Sequence, residues 1–177
     1  MAHQAQIEYF RSVKSSHPSL FSNCRVLDLG SLDINGNNRH LFSDYEYVGV
    51  DIGAGKNVDV VCRNHEYKSE EKFDVIISSE CFEHDEFWDK SILNGIELLN
   101  SGGIFLFSCA TTGRREHGTR RTSPQDSPFT SSLENDYYMN LTEEHIKNKI
   151  NIDDIFIEYE FKTNASPADL YFYGIKK

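Results

Sequence analysis

From residue 25 onward the chain alternates between short apolar runs and polar turns. "RVLDLG" (25–30), "YEYVGVDI" (45–52), "VDVVC" (58–62), "KFDVIISS" (72–79) and "GIFLFSCA" (103–110) each read as a strand. Runs that are apolar on both alternating faces belong to a parallel sheet covered on two sides. Two other stretches carry a helical period. In residues 4–14, Ile7, Phe10 and Val13 lie near one face, and His17-Pro18 ends the segment, because the residue before a proline leaves the helical region. In "DEFWDKSILNGIELLN" (85–100), Phe87, Trp88, Ile92, Leu93, Ile96 and Leu99 form a stripe, and Asn100-Ser101-Gly102-Gly103 supplies a stop. Residues 36–43 predict a further short helix.

After Ala110 the pattern changes. Residues 111–140 are polar and rich in Ser, Thr, Arg and Pro, a loop of the length that usually carries function. A helix fits residues 142–150, with Asn140 and Glu143 at capping-box spacing and Thr142 as the competing cap. "IDDIFIEYEFKT" (152–163) alternates like a strand, and "DLYFYGIK" (169–176) follows a turn containing Pro167. Together they predict an antiparallel hairpin on the sheet's edge. The expected fold is α/β: one domain over residues 1–177, doubly wound around a mostly parallel seven-stranded sheet, with an antiparallel C-terminal hairpin.

Length and charge narrow the function. A chain of 177 residues suits one domain with one substantial core. Its 28 acids and 18 bases give a net charge of −10, which opposes general binding to nucleic acids or anionic membranes. No segment approaches the roughly 20 continuous apolar residues of a membrane span. "MAHQAQIEYFRSVK" lacks the apolar core of a signal peptide, so the expected location is cytoplasmic. Cys24, Cys62, Cys81 and Cys109 are widely spaced and sit in or beside apolar stretches. They read as buried, reduced thiols, and no metal site is expected in the chain.

In open sheets of this kind, ligands bind at the carboxyl ends of the strands, where Gly30, Asp51, Cys62, Ser79 and Cys109 fall. The first turn, "VLDLGSLDINGNNRH" (26–40), has only Gly30 and Gly36, short of the three spaced glycines of a dinucleotide fingerprint. Gly30 permits a tight turn and close approach of a ligand. Asp28 and Asp33 would repel a pyrophosphate and tolerate a ligand bearing an ammonium or a cationic sulfur. Asp51 lies 21 residues after Gly30 and has the position of a carboxylate that takes both ribose hydroxyls. Ile52 beside it would pack on an adenine ring.

The order and spacing of "VLDLGS", "YVGVDI", "VDVVC", "FDVIISSECFEH" and "LLNSGGIFLFSCA" resemble the class I S-adenosylmethionine-dependent methyltransferases, in their small single-domain form. The resemblance spans roughly residues 24–110 and, more weakly, the final hairpin. It implies a Rossmann-like fold, S-adenosyl-L-methionine as cofactor and S-adenosyl-L-homocysteine as product. It places Asp28, Gly30 and Ser31 around the methionine part, Asp51 on the ribose, and Arg63 and Asn64 in the loop that meets adenine. Ser79 and Glu80 match the fourth-strand end that faces the methionine amino group. His84 matches a position near the transferred methyl. Leu32 stands where the family often has a second glycine, and Arg63-Asn64-His65 replaces an acid that often meets the adenine amino group. The Asn64 carbonyl offers a substitute acceptor.

The 111–140 segment then reads as a substrate lid. Arg114, Arg115, Arg120 and Arg121 are clustered there, and arginine forks suit carboxylates or phosphates. Arg114, Arg115 and Arg120, with Tyr137 and Tyr138, are the expected acceptor contacts, for a small and anionic molecule methylated on oxygen or nitrogen. His117 and His84 are the candidate general bases. Two rivals stand beside this reading: a cofactor-binding partner or regulatory module without methyl transfer, and a nicotinamide-dependent oxidoreductase, which the acidic turn and missing glycines disfavour. The oligomeric state is not legible.

Overall fold

The computed structural model describes residues 4–133 and 136–177. Five strands run parallel: β1 (Ser22–Leu29), β2 (Ser43–Asp51), β3 (Val60–Val61), β4 (Phe73–Ser79) and β5 (Leu99–Ala110). The antiparallel pair β6 (Phe156–Asn164) and β7 (Asp169–Lys176) completes one sheet in the order β3-β2-β1-β4-β5-β7-β6. The sheet order reverses direction between β1 and β4, so the rim above those two strands is a topological switch point, where open α/β sheets place their ligands.

Alternation along each strand feeds two cores. Cys24 and Val26 of β1, Val75 and Ile77 of β4, and Ile104 and Leu106 of β5 face one side. There they meet Tyr9, Phe10 and Val13 of α1 (Gln4–Ser16), with Phe21, Leu41 and Phe42. Leu27 and Leu29, Ile76, Phe105 and Phe107 face the other. Against them pack Ile92 and Ile96 of α2 (Trp88–Leu98), Leu141, Ile146 of α3 (Glu143–Lys147) and Ile152 of α4 (Ile152–Ile155). Each such side chain contributes at most about 1.5–3 kcal/mol, so both layers are needed to hold the strands in one plane.

Several boundaries differ from the sequence pattern, each for a local reason. Residues 36–43 contain only a 3-10 turn at Arg39–Leu41. Asp33 Oδ1 accepts from the Gly36 N–H and Asn37 Oδ1 from the Arg39 N–H, bonds that compete with a helical ladder. The third strand shrinks to two residues. α2 does not end on a glycine cap: Leu99 is extended and begins β5, while Lys176 Nζ donates to the carbonyls of Ile96 and Leu99 at 2.6 and 2.8 Å. Gly102, at φ +78°, lies within β5, close to where pairing with β4 shifts between Phe73 and Val75. Thr142, not Asn140, caps α3, in a reciprocal box with His145. Asn140 instead donates to the Arg114 carbonyl. The stretch 152–155 is a helical turn that buries Ile152, so the strand begins only at Phe156.

Candidate active site

The switch-point rim opens into a cleft, the usual place for a small-molecule ligand in such a sheet. Asp28, Gly30, Ser31, Asp51, Ile52, Arg63, Asn64, Ser79 and Glu80 all line it, and so does His84. Residues 126–130, Leu133 and Tyr137 form the facing wall.

The floor is built from backbone turns that only certain residues permit. Gly30 has φ +77°, and the N–H groups of Gly30 and Ser31 both reach the Val50 carbonyl, at 2.9 and 3.0 Å. A Cβ on Gly30 would sit 2.3 Å from Cys81 Sγ, so the turn and the loop after β4 meet in direct contact. Glu80 also adopts a left-handed conformation, φ +52°, directly after β4. That twist turns the chain off the sheet at the point where the cleft begins.

The carboxylates are held by specific donors. Asp51 Oδ2 accepts from the Leu32 N–H at 3.0 Å and Oδ1 from the Ile52 N–H at 2.7 Å. The Gly53 N–H is a third backbone donor to this carboxylate. Burial nevertheless raises the Asp51 pKa. Asp28 is buried, and burial raises its pKa to about 7 against the lowering effect of the Tyr47 hydroxyl, which donates at 2.6 Å. Arg39 lies over the Tyr47 ring at 4.0 Å, which fixes the phenol in turn. Ser79 Oγ accepts from Asn38 Nδ2 at 2.9 Å and from Gln6 Nε2 at 3.3 Å. Asn64 donates to Cys81 Sγ, and its Oδ1 is buried with no hydrogen-bond partner among the described residues, as is Ser31 Oγ. Buried acceptors of that kind are normally satisfied, so the two mark positions for a ligand or water.

Sequence reasoning missed several members of this site. Gln6 and Asn38 tether Ser79, Tyr47 and Asn57 hold Asp28, and Phe129 closes the wall. A Cβ on Gly53 would lie 2.6 Å from the Phe129 ring, so the ring rests on bare backbone. Gln6 alone had a readable signal, as a polar residue in the apolar stripe of α1.

The lid residues divide. Tyr137 lines the cleft. Tyr138 lies behind it, with its ring 5.4 Å from that of His84 and 5.2 Å from that of His117, and its hydroxyl donates to Asn140 Oδ1. The arginines do not face the cleft. Arg114 Nη1 donates to Asp169 Oδ1 and the Pro167 carbonyl, both at 3.0 Å. Arg120 bonds the carbonyls of Ser131 and Leu133, Arg121 pairs with Glu116, and the Arg115 side chain is exposed. Arg114, Arg120 and Arg121 thus pin the lid to itself and to β7. Arg63 is the one Lys or Arg among the described lining residues, beside Asp28, Asp51, Glu80, Asp85, Glu86 and Asp126. His117 sits behind His84, at 5.0 Å between ring centroids, and does not line the cleft. Burial lowers the pKa of His84 to about 3 and lowers that of His117 too. Burial thus weakens both rings as bases.

Comparison with known proteins bears on this geometry. No curated protein matches the sequence. Among solved structures, a Burkholderia thailandensis 1,6-didemethyltoxoflavin-N1-methyltransferase, crystallised with 1,6-didemethyltoxoflavin and S-adenosylhomocysteine, is similar with a TM-score of 0.66 at 15% identity. The match covers 98% of this chain and 79% of that one. Magnesium protoporphyrin IX methyltransferase from Synechocystis PCC 6803, with bound S-adenosylhomocysteine, gives 0.64 at 12%, covering 99% and 84%. The N-methyltransferase NodS of Bradyrhizobium japonicum WM9, also with S-adenosylhomocysteine, gives 0.58 at 12%, covering 94% and 87%. At these identities the likeness establishes the fold. The sequence itself matches the family described as "Methyltransferase domain" over residues 1–155, most of its length. The chain belongs to the methyltransferase-domain family.

Proposed function

We propose that the chain is an S-adenosylmethionine-dependent methyltransferase whose acceptor is a small neutral or cationic molecule. The observation that carries this reading is the placement of Asp51 and the unpartnered Asn64 Oδ1 on one cleft. The first suits a ribose diol, and the second suits the adenine amino group. Ile52 lies between acid and rim to meet the base, and Gly30 lets the methionine part approach the turn. The cluster of acids around the single Arg63 favours a cofactor with ammonium and sulfonium charges over one carrying a pyrophosphate. The family membership, and neighbours crystallised with S-adenosylhomocysteine, support the same cofactor.

When bound, the cofactor supplies an electrophilic methyl group on a cationic sulfur and leaves as S-adenosylhomocysteine. The protein's part is to orient two reactants and exclude water. Asp51, Asn64 and the β1 turn fix one reactant. The lid wall closes the cleft, with Phe129 on Gly53 over the end where the cofactor would lie. His84 presents its imidazole in the cleft, within reach of the acceptor.

The test is an assay of S-adenosylhomocysteine release with two acceptor panels: small amines and neutral hydroxyl compounds, and acidic sugars and nucleotides. Turnover confined to the first panel is expected. Turnover confined to the second contradicts the charge of the acceptor. Cofactor binding without turnover on either panel favours a binding module.

A further inference from the structure

One cluster beside the cleft is unexplained by cofactor binding. Glu83, His84 and His117 are all buried, and each offers a ligating atom within 4.8 Å of those of the other two. His84 Nδ1 and His117 Nε2 lack a hydrogen-bond partner among the described residues, and the Glu83 carboxylate is bonded by no side chain, approached only by the backbone N–H groups of Glu83 itself and Ala110. A carboxylate and two imidazoles this close would ordinarily pair with one another, since each unmatched buried polar group costs free energy. Here they converge without bonding.

The surroundings orient them towards one point. His117 Nδ1 lies 3.1 Å from the Arg115 carbonyl, which makes Nδ1 the protonated nitrogen and leaves Nε2 with its lone pair. This is the outer-shell contact that fixes a metal-binding histidine. Gly118, at φ +62°, makes room for His84: a Cβ there would lie 2.6 Å from Cε1 of that ring. The Glu83 carbonyl accepts from the Met139 N–H at 2.8 Å, which ties the turn to the end of the lid. Tyr138 covers both rings.

We infer that Glu83, His84 and His117 hold a first-row divalent transition-metal ion of the zinc class, at the acceptor end of the cleft. Two nitrogens and one carboxylate exclude the all-oxygen preference of magnesium and calcium. Three protein ligands leave coordination positions open, the arrangement of catalytic rather than structural sites. Ligand bonds of about 2.0–2.2 Å require the three atoms to draw together from their present spacing, a matter of side-chain rotation. His84 is shared between this cluster and the cleft wall, which sets the site one side chain behind the space assigned to the acceptor. An ion there would fix the orientation of the His84 ring that the acceptor meets. That role rests on the methyltransferase reading; the site itself does not.

The test uses the full chain, stripped with a chelator and titrated with Zn²⁺ by calorimetry and with Co²⁺ by visible absorption. Expected are one equivalent bound at micromolar affinity or tighter, and the intense visible bands of a four- or five-coordinate cobalt site. Glu83→Gln and His117→Ala should each weaken binding by at least about 100-fold, the upper end of the loss seen for outer-shell partners of a metal ligand. Binding of S-adenosylmethionine by each variant reports its folding, and His117→Gln replaces any His117→Ala protein that fails this check. Absence of binding to the wild type, or binding unaltered in both variants, overturns the inference. Cofactor binding without metal binding sinks the metal site and leaves the proposed function standing. Metal binding without cofactor binding does the reverse.

Discussion

Asp28 sits between burial, which raises its pKa to about 7, and the Tyr47 hydroxyl, which favours its charge. The linked effect on stability has a definite sign. Between the ordinary aspartate pKa of about 3.9 and about 7, the folded state holds a proton that the unfolded state has lost. Stability of the ligand-free protein should therefore fall as pH rises through that window. Denaturation midpoints of Asp28→Asn should show a shallower decline. The flattening is partial, because burial raises Asp51 and Glu83 as well. Gly30 makes a second prediction. Gly30→Ala forces a side chain into φ +77° and against Cys81, and should cost about 1–3 kcal/mol in urea unfolding as well as cofactor affinity. Asp51 and Asn64 were legible because strand ends fix their place. The arginines were not, because their partners, Asp169 and the lid carbonyls, are remote in sequence or belong to the backbone.

At the scale of elements, the lid is the part on which the account places most weight. It rests on the rim through Phe129 against Gly53 and is pinned by Arg114 to β7. Phe129→Ala should leave the melting midpoint nearly unchanged, weaken cofactor binding about 10-fold through loss of one buried aromatic face, and speed amide exchange over residues 126–133. A separate prediction concerns α3. Thr142→Ala removes its cap and should cost about 1 kcal/mol in chemical denaturation. Strand order, α1 and α2 were readable from periodicity, which reports burial on one face or two. The missing helix at 36–43 and the late start of β6 were not. Asp33 and Asn37 hold the first turn by side-chain bonds, and the helical turn at 152–155 was set by burial of Ile152.

Across the whole molecule, two apolar layers hold a sheet whose one rim collects the polar groups left over from folding. The acidic balance of the chain is repeated in the cleft, where Arg63 is outnumbered by acids among the described lining residues. That balance distinguishes a sulfonium cofactor from a dinucleotide, and binding can be measured without knowing the acceptor. The decisive measurement is calorimetric titration of the wild type and Asp51→Ala with S-adenosylmethionine and S-adenosylhomocysteine, with NAD as control. The account predicts micromolar binding of the first two, none of NAD, and a loss of about 100-fold in the variant, the cost of two charge-assisted hydrogen bonds. Wild-type protein that binds neither sulfur compound, or binds NAD in their place, would contradict it.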